Sequence, residues 1–90
     1  MKIASLAHDR GLVVANHGIT TYINVVAALH FLNSIPNALI VEFVAEEETT
    51  LREEITLQKL LAHEGYLSIP DSPGLGIDLD EKALESLRVA

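Results

Sequence analysis

Residues 12–18, LVVANHG, and residues 38–44, ALIVEFV, decide the fold. Leu12 to Ala15 is a short unbroken apolar run, and Ala38 to Val44 is a second one interrupted only by Glu42. Unbroken runs of this length mark strands covered on both faces, whereas a strand with one wet face would alternate. Between them, Thr20 or Thr21 can cap a helix reaching about Asn33, with Ile23, Val26, Ala27 and His30 on one face and Phe31 beside them. Pro36 and Asn37 stop it. Upstream, Ile3, Leu6, Ala7 and Arg10 have helical spacing, and Gly11 stands where a left-handed cap ends a helix. That helix has almost no lead-in, as though its first turns were lost.

The order is therefore helix, strand, helix, strand, which predicts an α/β fold of parallel strands covered by helices. Two parallel strands close no sheet. Ninety residues with 49% hydrophobic content need cover, either from further strands or from copies of the same chain, so a homo-oligomer or a larger host is expected. After Val44 the pattern changes. An acidic loop leads to two expected strands, Ile55 to Leu61 and Tyr66 to Ile69, forming a hairpin around Ala62 to Gly65. Pro70 to Gly76 (PDSPGLG) is too rich in Pro and Gly for regular structure, and Asp80 caps a last helix from Glu81 to about Leu87.

The net charge is −7, from 13 acids against 6 bases, and there is no basic stripe with interleaved aromatics. Nucleic acid and anionic membrane surfaces would be repelled. With no cysteine, disulfides and thiolate metal sites are excluded. Residues 1–10 lack a signal-peptide pattern, and the longest apolar runs are broken by Asn24, His30, Asn33 and Glu42, so a cytoplasmic chain is expected.

In parallel β/α folds reactive groups gather at the C-terminal ends of strands, where both His17 and Glu42 fall. His17 could move protons near neutrality; the alternative is a loop histidine bonded to nearby backbone. Glu42 is costly inside an apolar run unless paired, protonated or hydrogen-bonded, and otherwise turns to solvent or to an arginine. His30 reads as a satisfied core or interface histidine, and His8 and His63 as surface or turn residues. No histidine pair has helical metal-ligand spacing around an acid, and Glu46 to Glu48 read as a solvated loop. Gly74-Leu75-Gly76 is too short for a nucleotide fingerprint, and no GxSxG elbow or P-loop is present.

Three stretches together resemble the C-terminal part of the mandelate racemase and muconate lactonizing enzyme family of the enolase superfamily. They are residues 3–18 (IASLAHDRGLVVANHG), 24–42 (NVVAALHFLNSIPNALIVE) and above all 65–81 (GYLSIPDSPGLGIDLDE). The resemblance implies a fragment of a modified (β/α) TIM-type barrel. Leu12 to Ala15 would be its seventh strand and Ala38 to Glu42 its eighth; residues 1–44 would hold the last β/α units and residues 45–90 a tail joining the capping domain. It implies that His17 is the general base acting on the carbon beside a substrate carboxylate, as in the racemase-like and acid-sugar dehydratase members. Glu42 would be the acid that hydrogen-bonds that carboxylate. The lactonizing and dipeptide-epimerizing members use lysines instead. It also implies a sugar acid or hydroxy acid substrate and a magnesium ion held by carboxylates on the third to fifth strands. Those strands, a second-strand lysine and a sixth-strand aspartate behind His17 are not in these 90 residues, so the chain alone is expected to be inactive; the alternative is a non-catalytic remnant acting as an oligomeric or binding module.

Overall fold

The computed structural model describes residues 1–18, 20–43 and 54–89. Helix α1 spans Lys2–His8, α2 Tyr22–Asn33 and α3 Glu81–Ser86. Between α1 and α2 the chain runs out along residues 12–18, and after α2 it returns beside them through residues 38–43.

Gly11 ends α1 as its position predicts. At φ +68° it adopts the left-handed conformation that a side chain resists. Its N–H reaches the His8 carbonyl at 2.9 Å and the Leu12 N–H reaches the Ala7 carbonyl at 2.9 Å, the paired bonds of a Schellman motif. The helix stops at His8, two residues short of the expected end at Arg10, whose guanidinium bonds the Leu6 carbonyl at 3.2 Å.

The expected parallel pairing is present, but as a single bridge between Val14 and Ala38. The Val14 N–H donates to the Asn37 carbonyl and the Leu39 N–H to the Val14 carbonyl, each at 2.8 Å. Asn37, itself buried, fixes this junction: its Nδ2 donates to the Ala4 carbonyl at 3.1 Å and the Leu12 carbonyl at 3.0 Å, tying α1 and the first run to the second. The runs are not covered on both faces, contrary to expectation. Leu12, Val13, Leu39 and Ile40 are each 57–63% exposed. Their side chains are those of a sheet interior, and no described residue covers them fully. The chain accordingly exposes 6852 Å², against roughly 5,200 Å² for a closed monomer of its mass.

Helix α2 is the hub. Tyr22, Val25, Val26 and Leu29 pack with Leu60, and Val41, Phe43, Leu67, Ile69 and Ile77 close around them. Leu32 turns to Ala4 and Ile35. The Tyr22 and Phe43 rings stack at 6.5 Å. The packed face is not the expected one: Val26 is buried, but Ala27 is exposed and Ile23 and His30 are half-buried. Because the helix is apolar nearly all round, its spacing could not select a face. Thr21 occupies the position before the helix but makes no side-chain capping bond.

The tail also differs from expectation. Residues 55–61 do not pair with residues 66–69. Thr56 instead bridges Leu79 in antiparallel fashion, with Leu57 N–H to the Asp78 carbonyl at 3.0 Å and Asp80 N–H to the Ile55 carbonyl at 2.9 Å. The Gln58 amide clamps this pairing by bonding both the Asp78 carboxylate and its N–H at 2.8 Å. The expected turn does form, as a single His63–Tyr66 bridge whose central residues Glu64 and Gly65 both have positive φ, 50° and 82°. That is the two-residue hairpin turn whose twist suits paired strands. Residues 70–76 are irregular, as expected. Asp80 caps α3 with its carboxylate accepting the Lys82 and Ala83 N–H groups, and Leu87 follows the last turn. The acidic stretch around Glu46 to Glu48 and the boundary expected at residues 44–45 lie outside the described residues.

Candidate active site

His17 and Glu42 leave their apolar runs a few residues beyond the Val14–Ala38 bridge, so a single strand pairing brings them to one place. The His17 Nδ1 lies 3.0 Å from the Glu42 Oε2. The same oxygen accepts the Gly18 N–H at 2.7 Å. An oxygen accepting one N–H in this way accepts Nδ1–H as well, so Nδ1 is the donor and neutral His17 keeps its lone pair on Nε2. The imidazole is 82% exposed and the Glu42 side chain 40% exposed. A pair this wet contributes only about 0.2–1 kcal/mol to stability, so its significance is in aiming the imidazole.

The Glu42 backbone is held too. Its N–H donates to the Asn16 Oδ1 at 2.8 Å. Asn16 Nδ2 is buried without a hydrogen-bond partner. Gly18, also buried, packs against this amide. A Cβ there would lie 2.6 Å from Asn16 Nδ2 and 3.1 Å from Asn24 Oδ1, so any larger residue would have to displace these amides. In the sequence Asn16 and Gly18 only interrupt the apolar run that ends at Ala15. The signal was the amide residue directly before His17, but its partner is a backbone group 26 residues away.

The other singled-out residues are elsewhere. His30 Nε2 is 3.2 Å from the Leu75 carbonyl, which makes it the satisfied interface histidine expected and a tether for the Pro- and Gly-rich segment. His8 and His63 are exposed. Gly76 has φ +81° and sits against Pro70, where an added Cβ would lie 2.5 Å from the Pro70 Cβ and 2.9 Å from its carbonyl oxygen, so the GLG motif shapes a tight loop. Among the described residues no three His, Asp or Glu side chains are grouped to hold a metal ion. No described helix is long and apolar enough to cross a membrane.

Comparison with known proteins identifies the family. The enolase C-terminal domain-like family model matches residues 1–83. The chain is 33% identical over 85 residues to the D-xylonate dehydratase of Haloferax volcanii, covering 94% of this chain and 20% of that protein. It is 32% identical over 96 residues to the D-galactarolactone cycloisomerase of Agrobacterium fabrum, covering 98% and 25%. A Burkholderia xenovorans structure bound to magnesium and fumarate superposes with a TM-score of 0.85 at 28% identity, covering 94% and 21%. The chain thus spans a fifth to a quarter of these relatives. With a family model matching nearly its whole length, the chain belongs to the enolase C-terminal domain-like family, that of the mandelate racemase and muconate lactonizing enzymes of the enolase superfamily.

Proposed function

We propose that this chain contributes the closing portion of an acid-sugar dehydratase or a related isomerase that removes a proton beside a carboxylate, with His17 as the general base. The observation that carries the reading is the 3.0 Å Nδ1 to Oε2 contact, which leaves the exposed Nε2 as the proton acceptor. The resemblance assigns Glu42 to the substrate carboxylate. The geometry supports a nearer task, in which Glu42 orients the base from behind, where the family resemblance expects an aspartate. Contact with an anionic substrate then requires the protonated form of Glu42, which can donate a hydrogen bond. The dehydratase and cycloisomerase among the relatives support the substrate class, a small sugar acid.

In this reading residues 1–44 supply the last two β/α units of a TIM-type barrel and residues 45–90 return toward a capping domain. The remaining barrel strands cover Leu12, Val13, Leu39 and Ile40. A magnesium ion held by the rest of the parent enzyme would supply electrostatic stabilisation to the charge that develops on proton removal, and by themselves these 90 residues turn over no substrate.

The test joins this chain to the remaining barrel strands, adds magnesium and screens aldonic and aldaric acids. Exchange of the proton beside the carboxylate with deuterated solvent is followed in parallel with turnover. Replacing a general base typically costs about 10²–10⁴-fold in rate, and His17→Ala should lose turnover and exchange together by that factor. Unchanged exchange in that variant would sink the assignment.

A further inference from the structure

The bridge between the two apolar runs uses only their facing edges. Val14 commits both its N–H and its carbonyl to the second run, to the Asn37 carbonyl and the Leu39 N–H, each at 2.8 Å. In a ladder of this kind the residues on either side of a bridged one turn their backbone groups to the opposite edge. Val13 and Ala15 on the first run, and Ala38 and Ile40 on the second, make no hydrogen bond to any described residue. All four are exposed. An edge meant to face water is blunted by charged side chains or proline. Residues 12–15 (LVVA) and 38–41 (ALIV) hold neither, and all 13 acids of the chain lie outside both runs. The molecule therefore carries two unguarded strand edges, bordered by the exposed side chains of Leu12, Val13, Leu39 and Ile40.

We propose that a second copy of this chain pairs edge to edge with these runs, giving a homodimer whenever the strands of a host barrel are not there to take them. The area agrees with that occupant. The chain exposes 6852 Å², about 1,650 Å² more than a closed monomer of its mass. Two copies that covered this excess would bury about 3,300 Å² between them, within the range of about 2,000–5,000 Å² found for obligate homodimers. The proposal rests on the reading of the two runs as barrel strands and not on the chemistry assigned to His17.

The test is sedimentation equilibrium of the whole chain over a dilution series, with helix content followed by circular dichroism. The native chain should sediment at twice its own mass. Val13→Lys combined with Ile40→Lys charges both edges, and a charge closed into an apolar interface without a partner should raise the dissociation constant by about 100-fold or more. Val89→Lys, at a residue 92% exposed beyond α3, should leave it unchanged. A folded native chain that sediments as a monomer overturns the proposal, and so does a dimer that survives the double substitution. If the double variant does not fold, amide hydrogen exchange on the native chain decides. Protection of the Val13, Ala15, Ala38 and Ile40 amides that rises with concentration supports the pairing, and exchange that ignores concentration overturns it. The loss of proton exchange in His17→Ala is measured in the joined barrel, so the catalytic reading and this one fail separately.

Discussion

Replacing Asn37 tests whether one side chain holds the strand pairing that brings the candidate site together. In Asn37→Ala, the Ala4 and Leu12 carbonyls each lose an Nδ2–H bond, of 3.1 Å and 3.0 Å. At about 1 kcal/mol net for each bond, the loss is about 2 kcal/mol. Asn37 Oδ1 is buried without a partner, so deleting it returns part of that sum and the expected cost is about 1–2 kcal/mol. Asn37→Asp changes less volume but should cost more. It sets an acceptor against two carbonyl oxygens and buries a carboxylate with no cation beside it, which costs about 3 kcal/mol or more. Urea unfolding followed by far-ultraviolet circular dichroism gives both values, compared at a common slope. An aspartate variant no less stable than the alanine variant would refute the reasoning, as would an alanine variant within about 0.5 kcal/mol of the native chain.

Two further substitutions separate backbone strain from crowding. Gly74 and Gly76 both have positive φ, but an added Cβ meets nothing at Gly74 and comes within 2.5 Å of Pro70 at Gly76. Gly76→Ala should therefore lower the thermal midpoint more than Gly74→Ala, by a margin of about 1 kcal/mol or more; equal effects would mean that the Pro70 contact yields freely. Glu64 has φ 50° at the first central position of its turn, where asparagine is the better residue, so Glu64→Asn should stabilise the chain by up to about 1 kcal/mol in the same melt. A lower midpoint would show that the turn is not of this type.

Features set within a few residues were legible in the sequence. Gly11 as a helix stop, Asp80 as a cap and Glu64-Gly65 as a turn each follow from local backbone chemistry. So did the positions of His17 and Glu42, because a polar residue at the end of an unbroken apolar run is visible without knowing the partner strand. What failed depends on distant parts of the chain. The composition of α2 is apolar on almost every side, so its packed face is chosen by residues 41–43 and 60–77, which periodicity cannot see. The apolar segment 55–61 needed a partner edge, and nothing in its own residues favours residues 78–80 over residues 66–69. Covered strands were expected from Leu12, Val13, Leu39 and Ile40, and those side chains stand exposed because an apolar run records the surroundings it suits and not who provides them. Asn16 escaped notice for a related reason, since its role depends on an amide far along the chain.

The pairing of His17 with Glu42 spans 25 residues of unbroken chain, and the helix between them sets their separation. Everything that aligns the two side chains, from the Val14–Ala38 bridge to Asn16, Gly18 and Asn37, falls in that segment or just beside it. The pair and its supports therefore form one contiguous cassette. A recombination event between related genes, with its crossovers ahead of Leu12 and after Phe43, would carry His17, Glu42 and their spacing together into a new host chain, whereas a crossover inside α2 would couple the histidine to a carboxylate placed by a different helix.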